Sequence, residues 1–343
     1  MNHEVYIKRC IELAEKAQGK TSPNPMVGAV IVHQGRIIGE GYHHRAGEPH
    51  AEINAIRSVA QPELLPESTI YVSLEPCSHF GKTPPCALKI IEVGFKKVVI
   101  GTLDPHEKVS GKGKAMIEAA GIEVVSGVLE KECRALNKRF LTFHEKKRPF
   151  ITLKWASSRD GFIDRNFAPV AISNPLVSQW VHKKRAEEQA ILVGSRTALN
   201  DNPSLTTRHY AGQNPIRLLL DFDLKVPPHY AIFNKEAETI IFNQHQEKVE
   251  EHLSWVKIRK ENAISDLMES LHRLGVQSVL VEGGRQILQL FIEAHLWDEA
   301  WHIKNQDLIL ENGTPEPILN CEFADKMLNI RNNQLMFYKN HTF

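Results

Sequence analysis

Residues 69–86 read TIYVSLEPCSHFGKTPPC. Thr69 to Leu74 is rich in β-branched, aromatic and aliphatic side chains, which predicts a strand. Gly81, Pro84 and Pro85 are turn formers, so the following loop folds back on itself. Cys86 to Glu92 then resumes at helical spacing. A strand, a tight loop and a helix form the unit from which layered α/β folds are assembled. Working outward, His50 to Val59 reads as a helix, and Val27 to Val32 as a strand that turns at Gln34-Gly35 and returns through Ile37 and Ile38. Residues 2–18 place Val5, Cys10, Ile11, Leu13, Ala14 and Ala17 at helical spacing, and Gly19 stops that helix. Downstream come a strand at Lys97 to Gly101, a helix at Ala115 to Ala120 capped by Gly121, a strand at Ile122 to Val125 and one charged helix from Glu130 to Lys147.

The charge run Glu145-Lys146-Lys147-Arg148 ends at Pro149, and a strand begins at once with Phe150 to Trp155. That punctuation predicts a domain boundary, with one domain over 1–147 and a second over 148–343. The second half alternates again. Strands are expected near Ala190–Val193, Ile216–Asp221, Thr239–Phe242 and Ser278–Val281, and helices near Pro175–Glu188, Ala263–Leu274 and Gln286–Ala294. Asn329 to Asn340 reads as a polar tail. The length of 343 residues fits two domains at roughly 100–200 residues each. With Lys+Arg at 42 and Asp+Glu at 41, the net charge is +1, which argues against an electrostatic nucleic-acid binder. No apolar run reaches the ~18–20 residues of a membrane span, and MNHEVYIKRC lacks the pattern of a signal peptide, so a cytoplasmic protein is the simplest expectation. Five cysteines are too few and too odd in number for a disulfide framework.

Two of those cysteines carry chemistry. His50-Ala51-Glu52 stands where a helix begins, Pro76-Cys77 follows about 25 residues on, and Cys86 comes after eight more. One imidazole and two thiolates suit Zn²⁺, and a three-ligand zinc keeps a position open for water. A carboxylate two residues from the histidine, itself not a ligand, can carry a proton from that water to a leaving amine. This is the H-x-E…P-C-x-x-C arrangement of zinc-dependent base deaminases, here with eight residues rather than two between the cysteines. Cys10, Cys133 and Cys321 read as small apolar fillers. The basic clusters Lys112 with Lys114, and Lys146 to Arg148, read as solvated faces. A structural zinc would need a fourth protein ligand, and none stands at suitable spacing.

At this point the sequence resembles a known family. Pro23-Asn-Pro-Met-Val-Gly-Ala-Val30, His50-Ala51-Glu52, the 76–86 loop, Asp104-Pro105 and Gly111-Lys112-Gly113 are similar to the deaminase half of the bifunctional riboflavin-biosynthesis proteins. These join a diaminohydroxyphosphoribosylaminopyrimidine deaminase to a 5-amino-6-(5-phosphoribosylamino)uracil reductase. The later stretches Lys154-Trp-Ala-Ser-Ser-Arg-Asp-Gly161, Ile191-Leu-Val-Gly-Ser-Arg-Thr197, Asn200-Asp-Asn-Pro-Ser-Leu-Thr-Thr-Arg208 and Val281-Glu-Gly-Gly284 resemble the reductase half.

The resemblance implies a cytidine-deaminase-like α/β/α layered domain followed by a dihydrofolate-reductase-like α/β domain. It implies His50, Cys77 and Cys86 as zinc ligands and Glu52 as proton shuttle. Asn24, His43, His79 and Lys82 would contact the deaminase substrate. NADPH would meet Ala156, Thr197, Asp201, Gly284 and Arg285 in the second domain. Arg185, Leu205, Arg208 and Glu282 would hold the reductase substrate, with Lys154 and Asp201 as catalytic candidates. The partners implied are phosphorylated pyrimidines, with no nucleic acid and no membrane, and a homo-oligomer is expected.

Read from the residues alone, Glu282-Gly283-Gly284 follows a strand and opens a helix, where backbone amides can approach a phosphate. There is no G-x-G-x-x-G, so a Rossmann site is not indicated. Arg185 and Arg208 are bidentate phosphate candidates. The chain departs from the family at Arg159, where an apolar residue is expected, and over Asn166 to Ser173, which lacks a tryptophan-containing stretch. The competing reading is a deaminase acting on nucleic acid with the second half as a binding module. Near-zero charge and the absence of interleaved aromatic and basic residues count against it.

Overall fold

The computed structural model describes residues 2–80, 84–106, 109–321 and 323–341. It divides into two compact units, Met1–Lys147 and Arg148–Phe343.

In the first unit the elements run α1 (His3–Glu15), β1 (Gly28–His33), β2 (Arg36–Tyr42), α2 (Ala51–Arg57), β3 (Thr69–Leu74), α3 (Cys86–Val93), β4 (Lys97–Thr102), α4 (Lys112–Ala119), β5 (Glu123–Ser126), α5 (Glu130–Leu136) and α6 (Lys138–Lys146). The sheet order is β2-β1-β3-β4-β5. β1 pairs antiparallel with β2 and β3, whereas β3-β4 and β4-β5 are parallel. Both faces of the central strands are apolar, and successive side chains go to opposite sides. Ala29, Ile31, Ile70, Val72, Val98 and Ile100 meet Ala51, Ala55, Ala87, Ile90 and Ile117 of α2, α3 and α4. Val30, Val32, Tyr71 and Val99 meet Ile7, Cys10, Leu13 and Cys133 of α1 and α5. This is the expected α/β/α layering, and Cys10 and Cys133 are fully buried within it.

The single helix expected over 130–147 is two helices. Asn137 breaks it: its side chain accepts from Met26 N and donates to Met26 O, both at 2.8 Å, and so latches the helix junction to a segment 111 residues away. α2 lies hard against β2. A Cβ on Gly41 would stand 2.3 Å from Ala55 N, and one on Gly39 2.7 Å from Ala55 O. That close approach fixes where the start of α2, and hence His50, is presented.

The second unit contains β6 (Phe150–Ser157), α7 (Pro175–Glu187), β7 (Ala190–Gly194), α8 (Ser195–Asp201), β8 (Ile216–Leu220), β9 (Thr239–Asn243), β10 (Lys248–Val249), β11 (Leu253–Lys257), α9 (Ala263–Arg273), β12 (Ser278–Gly283), α10 (Arg285–Glu293), β13 (Glu299–Asn305), β14 (Lys326–Ile330) and β15 (Asn333–Lys339). The sheet order is β10-β11-β9-β8-β7-β12-β6-β13-β15-β14. The strands from β11 to β13 run parallel, and antiparallel pairs close both edges. Ile151, Leu153, Leu192, Leu218, Val279 and Val281 pack on α9 and α10. Ile191, Val193, Leu219 and Ile241 face Ala198 of α8 on the other side, where α7 also covers Ile303 and Leu335.

Two expectations are corrected here. The supposed polar tail Asn329–Asn340 is largely β15, which pairs with β13 along seven residues from Asn333↔Asn305 to Lys339↔Glu299. Its centre is the hydrophobic run Leu335-Met336-Phe337-Tyr338, of which Leu335 and Phe337 pack with α7. Arg148 is not a solvated charge. It is 8% exposed and forks onto Asp298 at 2.7 and 2.8 Å, while Asp298 also accepts from Ile151 N. The pair therefore pins the first residues of β6 to the approach of β13. The departing stretch after Asp164 is a tight turn closed by Arg165 and Ala168, with Asn166 and Phe167 at positive φ. Arg159 is exposed, so its charge costs nothing there.

Candidate active sites

In the first unit, the zinc candidates converge because two helix starts and one strand end meet. His50 occupies the N-cap of α2, Cys77 follows the carboxyl end of β3, and Cys86 opens α3 behind Pro84-Pro85. His50 Nδ1 lies 3.6 Å from Cys77 Sγ and 3.4 Å from Cys86 Sγ, and Cys86 N donates to Cys77 Sγ at 3.2 Å. All three ligand atoms fall within 4.8 Å of one another, and among the described residues this is the one such cluster. A nitrogen and two sulfurs converging on one point are the donor set of a catalytic zinc with a position to spare. Within the thiol pair, hydrogen bonds from Cys86 and His50 pull Cys77 down, while Cys77 and burial push Cys86 up.

Glu52 sits one position inside α2 and is 3% exposed. Burial, with the negative charge of Cys77 adding to it, pushes its carboxyl up to about 7. A carboxyl poised near neutrality can both accept and release a proton at working pH. His43 lies at the end of the hairpin, 2% exposed, with its ring edge-on to His50 at 5.3 Å. Asn24 Nδ2 is 3.1 Å from His43 Nε2, and Pro49 O is 3.2 Å from Nδ1. Asn24 and His43 are thus one unit beside the metal ligands. His79 is exposed and stacks at 6.3 Å on His106. Lys82 lies outside the described residues. Burial also raises Asp104 to about 6.

In the second unit, the candidates gather at the carboxyl ends of β6, β7 and β12, the usual place for ligands in open parallel sheets. Arg185 of α7 forks onto Glu282 of β12 through Nε at 2.7 Å and Nη2 at 2.9 Å, while Nη1 donates to Thr206 O at 3.2 Å. Lys154 Nζ of β6 approaches Glu282 Oε2 at 3.7 Å. All three side chains are nearly buried, at 14, 12 and 7% exposure for Lys154, Arg185 and Glu282. Burial opposes the charge on Glu282, yet Arg185 and Lys154 hold its carboxyl down at about 2. Burial lowers Lys154 from its ordinary value. Two cations thus share one carboxylate. Asp201 does not join them: it closes α8 beside Asp164, and burial together with that second carboxylate raises it.

Gly284 and Arg285 begin α10 opposite α8. A Cβ on Gly284 would lie 3.0 Å from Thr197 Oγ1, and Arg285 Nε is buried without a hydrogen-bond partner among the described residues. This cradle, with an orphaned guanidinium nitrogen, fits the phosphates of a dinucleotide. Ala156 is half-buried on β6. The side chain of Leu205 is 3% exposed and belongs to the core under α8, which leaves its backbone, at positive φ, to meet a ligand. Arg208 is exposed and donates to Ser204 Oγ at 3.1 Å.

Two groups here were not singled out from sequence. Ser157 Oγ and Glu316 Oε2 both meet His302 Nε2, at 2.7 and 2.9 Å, where β6, β13 and the segment after β13 come together. His182 lies three residues before Arg185 on α7, so helical spacing alone places it on the same face.

A family model described as "Cytidine and deoxycytidylate deaminase zinc-binding region" matches residues 1–102, and one described as "RibD C-terminal domain" matches 149–303. The chain is 41% identical over 304 residues to the riboflavin biosynthesis protein RibD of Aquifex aeolicus, covering 85% of this chain and 84% of that one. To RibD of Escherichia coli it is 37% identical over 318 residues, covering 87% and 86%. The crystal structure of a diaminohydroxyphosphoribosylaminopyrimidine deaminase/5-amino-6-(5-phosphoribosylamino)uracil reductase from Thermotoga maritima superposes with a TM-score of 0.87 at 37% identity and covers 98% of both chains.

Proposed function

The chain belongs to the RibD family of riboflavin biosynthesis, enzymes with deaminase and reductase activities that use zinc and NADPH, and from that premise we propose how its residues divide the two reactions. The first unit deaminates 2,5-diamino-6-(5-phosphoribosylamino)pyrimidin-4(3H)-one. The second reduces the ribosyl chain of the product to ribityl.

The observation that carries the first assignment is the convergence of His50 Nδ1, Cys77 Sγ and Cys86 Sγ beside the buried Glu52. His50, Cys77 and Cys86 would hold the zinc, which when bound supplies Lewis-acid activation of water. Glu52 takes a proton at its carboxylate and hands it to the departing exocyclic amine, which leaves as ammonia. His43, held by Asn24 and Pro49 O, and His79 present imidazoles to the polar ring. Lys82 belongs to the same proposal by resemblance alone.

In the second unit, Thr197, Gly284 and Arg285 would hold the NADPH phosphates, with Ala156 and Asp201 beside the same bound cofactor. NADPH supplies the hydride for the sugar's C1 carbon. Lys154 and Glu282 present an ammonium and a carboxylate that can orient sugar hydroxyls and move a proton to the opened chain. Arg185 steadies Glu282. Arg208, whose guanidinium is not committed to a carboxylate among the described residues, grips the substrate phosphate, and the backbone at Leu205 lines that end.

Among the described residues no helix is long and apolar enough to cross a membrane. We place the enzyme in the cytoplasm as a homo-oligomer. Exposed Phe323, Met327 and Leu328 lie at or beside the edge strand β14, a surface that favours self-association. Family membership accounts for both halves, so the nucleic-acid reading is not favoured.

The test of the metal reading is metal analysis joined to activity. About one zinc per chain is expected, as three ligands in one cluster require. Stripping it with a chelator should stop ammonia release and leave NADPH oxidation on deaminated substrate in place. A metal-free chain that still released ammonia at the full rate would overturn this reading.

A further inference from the structure

We propose that His182 is a ligand of the reductase substrate's phosphate, the buried member of an anion site shared with Arg208 and His209. The proposal rests on the assignment of Arg208 to that phosphate. His182 is 3% exposed, and its Nδ1 has no hydrogen-bond partner among the described residues. Its ring meets that of His209 edge-on, 4.6 Å between centroids at 86°. Arg208 and His209 are both exposed, so the buried imidazole lies behind a basic mouth.

The charges around it are unbalanced. From α7 itself comes Arg185, from the segment after α8 come Arg208 and His209, and from β12 comes Glu282. Arg185 and Lys154 already take up Glu282, and among the described residues His182, Arg208 and His209 form no ion pair of their own. Burial first, and then the charges of Arg185, Arg208 and His209, push the His182 ring down to about 4, against the Thr206 backbone, which favours its charged form. A histidine held neutral by neighbouring cations is what an anion site looks like before its anion arrives. A phosphate monoester set beside Arg208 reverses that field. The imidazole then gains a proton, and both its ring nitrogens become donors.

The same chemistry could serve the phosphomonoester of the sugar substrate or that of NADPH. The commitment here is to the substrate. His182 shares a helix face with Arg185, which reaches Thr206 O in the segment leading to Arg208, whereas the cofactor cradle is formed at Thr197 and Gly284.

The test uses the zinc-loaded full chain and the deaminated ribotide, with inorganic phosphate as a competing probe. His182→Ala should raise KM for the ribotide about tenfold and kcat about twofold at most in the other direction. The inhibition constant of phosphate should rise in parallel, while KM for NADPH stays put. The wild-type KM should climb between pH 6 and 8 as the bound imidazole loses its proton, and the variant should lack that climb. His182→Gln keeps much of the volume but cannot be charged; it should fold, raise KM about threefold and also lose the pH dependence. Unchanged KM and phosphate inhibition in both variants would overturn the proposal, as would a rise confined to KM for NADPH. Arg208→Ala separates the two layers. If it leaves KM unchanged, the Arg208 assignment itself fails; if it raises KM while the His182 variants do not, only the present proposal fails.

Discussion

Glu52→Ala should lose ammonia release by a factor of about 10²–10⁴, the usual weight of a positioned acid–base group. NADPH oxidation on substrate deaminated beforehand should stay within about twofold of wild type, since the two reactions belong to different units. The carboxyl of Glu52 is buried behind the metal ligands and raised to about 7. Removing it takes away the group that carries the proton and leaves His50, Cys77 and Cys86 in place. Zinc content should therefore be unchanged, and metal analysis of the same sample checks this. Loss of both activities in a folded, zinc-loaded variant would contradict the division of labour.

The second large effect is expected at Glu282. Glu282→Gln leaves Arg185 and Lys154 facing a neutral amide in a nearly buried setting. Breaking a buried ion pair from one side typically costs about 3–5 kcal/mol, because the orphaned charge remains. Lys154, already lowered by burial, loses the carboxylate that favours its charged form. NADPH oxidation should fall by about 10²-fold or more, and ammonia release should continue. The acid side of stability should change too. The depressed carboxyl of Glu282 contributes stability above its ordinary pKa near 4.5, and that contribution is lost as pH falls toward about 2. In Glu282→Gln this acid-dependent part should be missing from thermal unfolding of the second unit. A variant with full NADPH oxidation would remove Glu282 from the site.

Much of this was legible in the sequence for local reasons. Gln34-Gly35 marks the hairpin because that turn needs positive φ at both residues, and both have it. His50, Cys77 and Cys86 could be read as a cluster because each stands at a helix start or a strand end. What escaped reading depends on partners far along the chain. The break at Asn137 is set by Met26. The strand β15 pairs along its length with β13, and the polar residues on either side of Leu335 to Tyr338 masked that short apolar run. Arg148 looks like one more surface charge until Asp298, 150 residues on, supplies its partner. Likewise Arg185 carries the signature of a phosphate ligand, but the fold commits it to Glu282, and Asp201 falls to Asp164 rather than to the Lys154 group. The orphaned nitrogens of His182 and Arg285 leave no mark in sequence, since burial without a partner is a property of the folded environment.

The central claim is that one chain carries two separable active sites that act in order. Its most direct test gives the purified full chain the diaminopyrimidinone ribotide and follows ammonia and NADPH separately. Without NADPH, ammonia should appear and the reaction should stop at the deaminated ribotide. With NADPH, one equivalent should be oxidised for each ammonia released, after a lag that vanishes when deaminated substrate is supplied. Ammonia release that required NADPH, or NADPH oxidation on the undeaminated ribotide with no ammonia formed, would contradict the account.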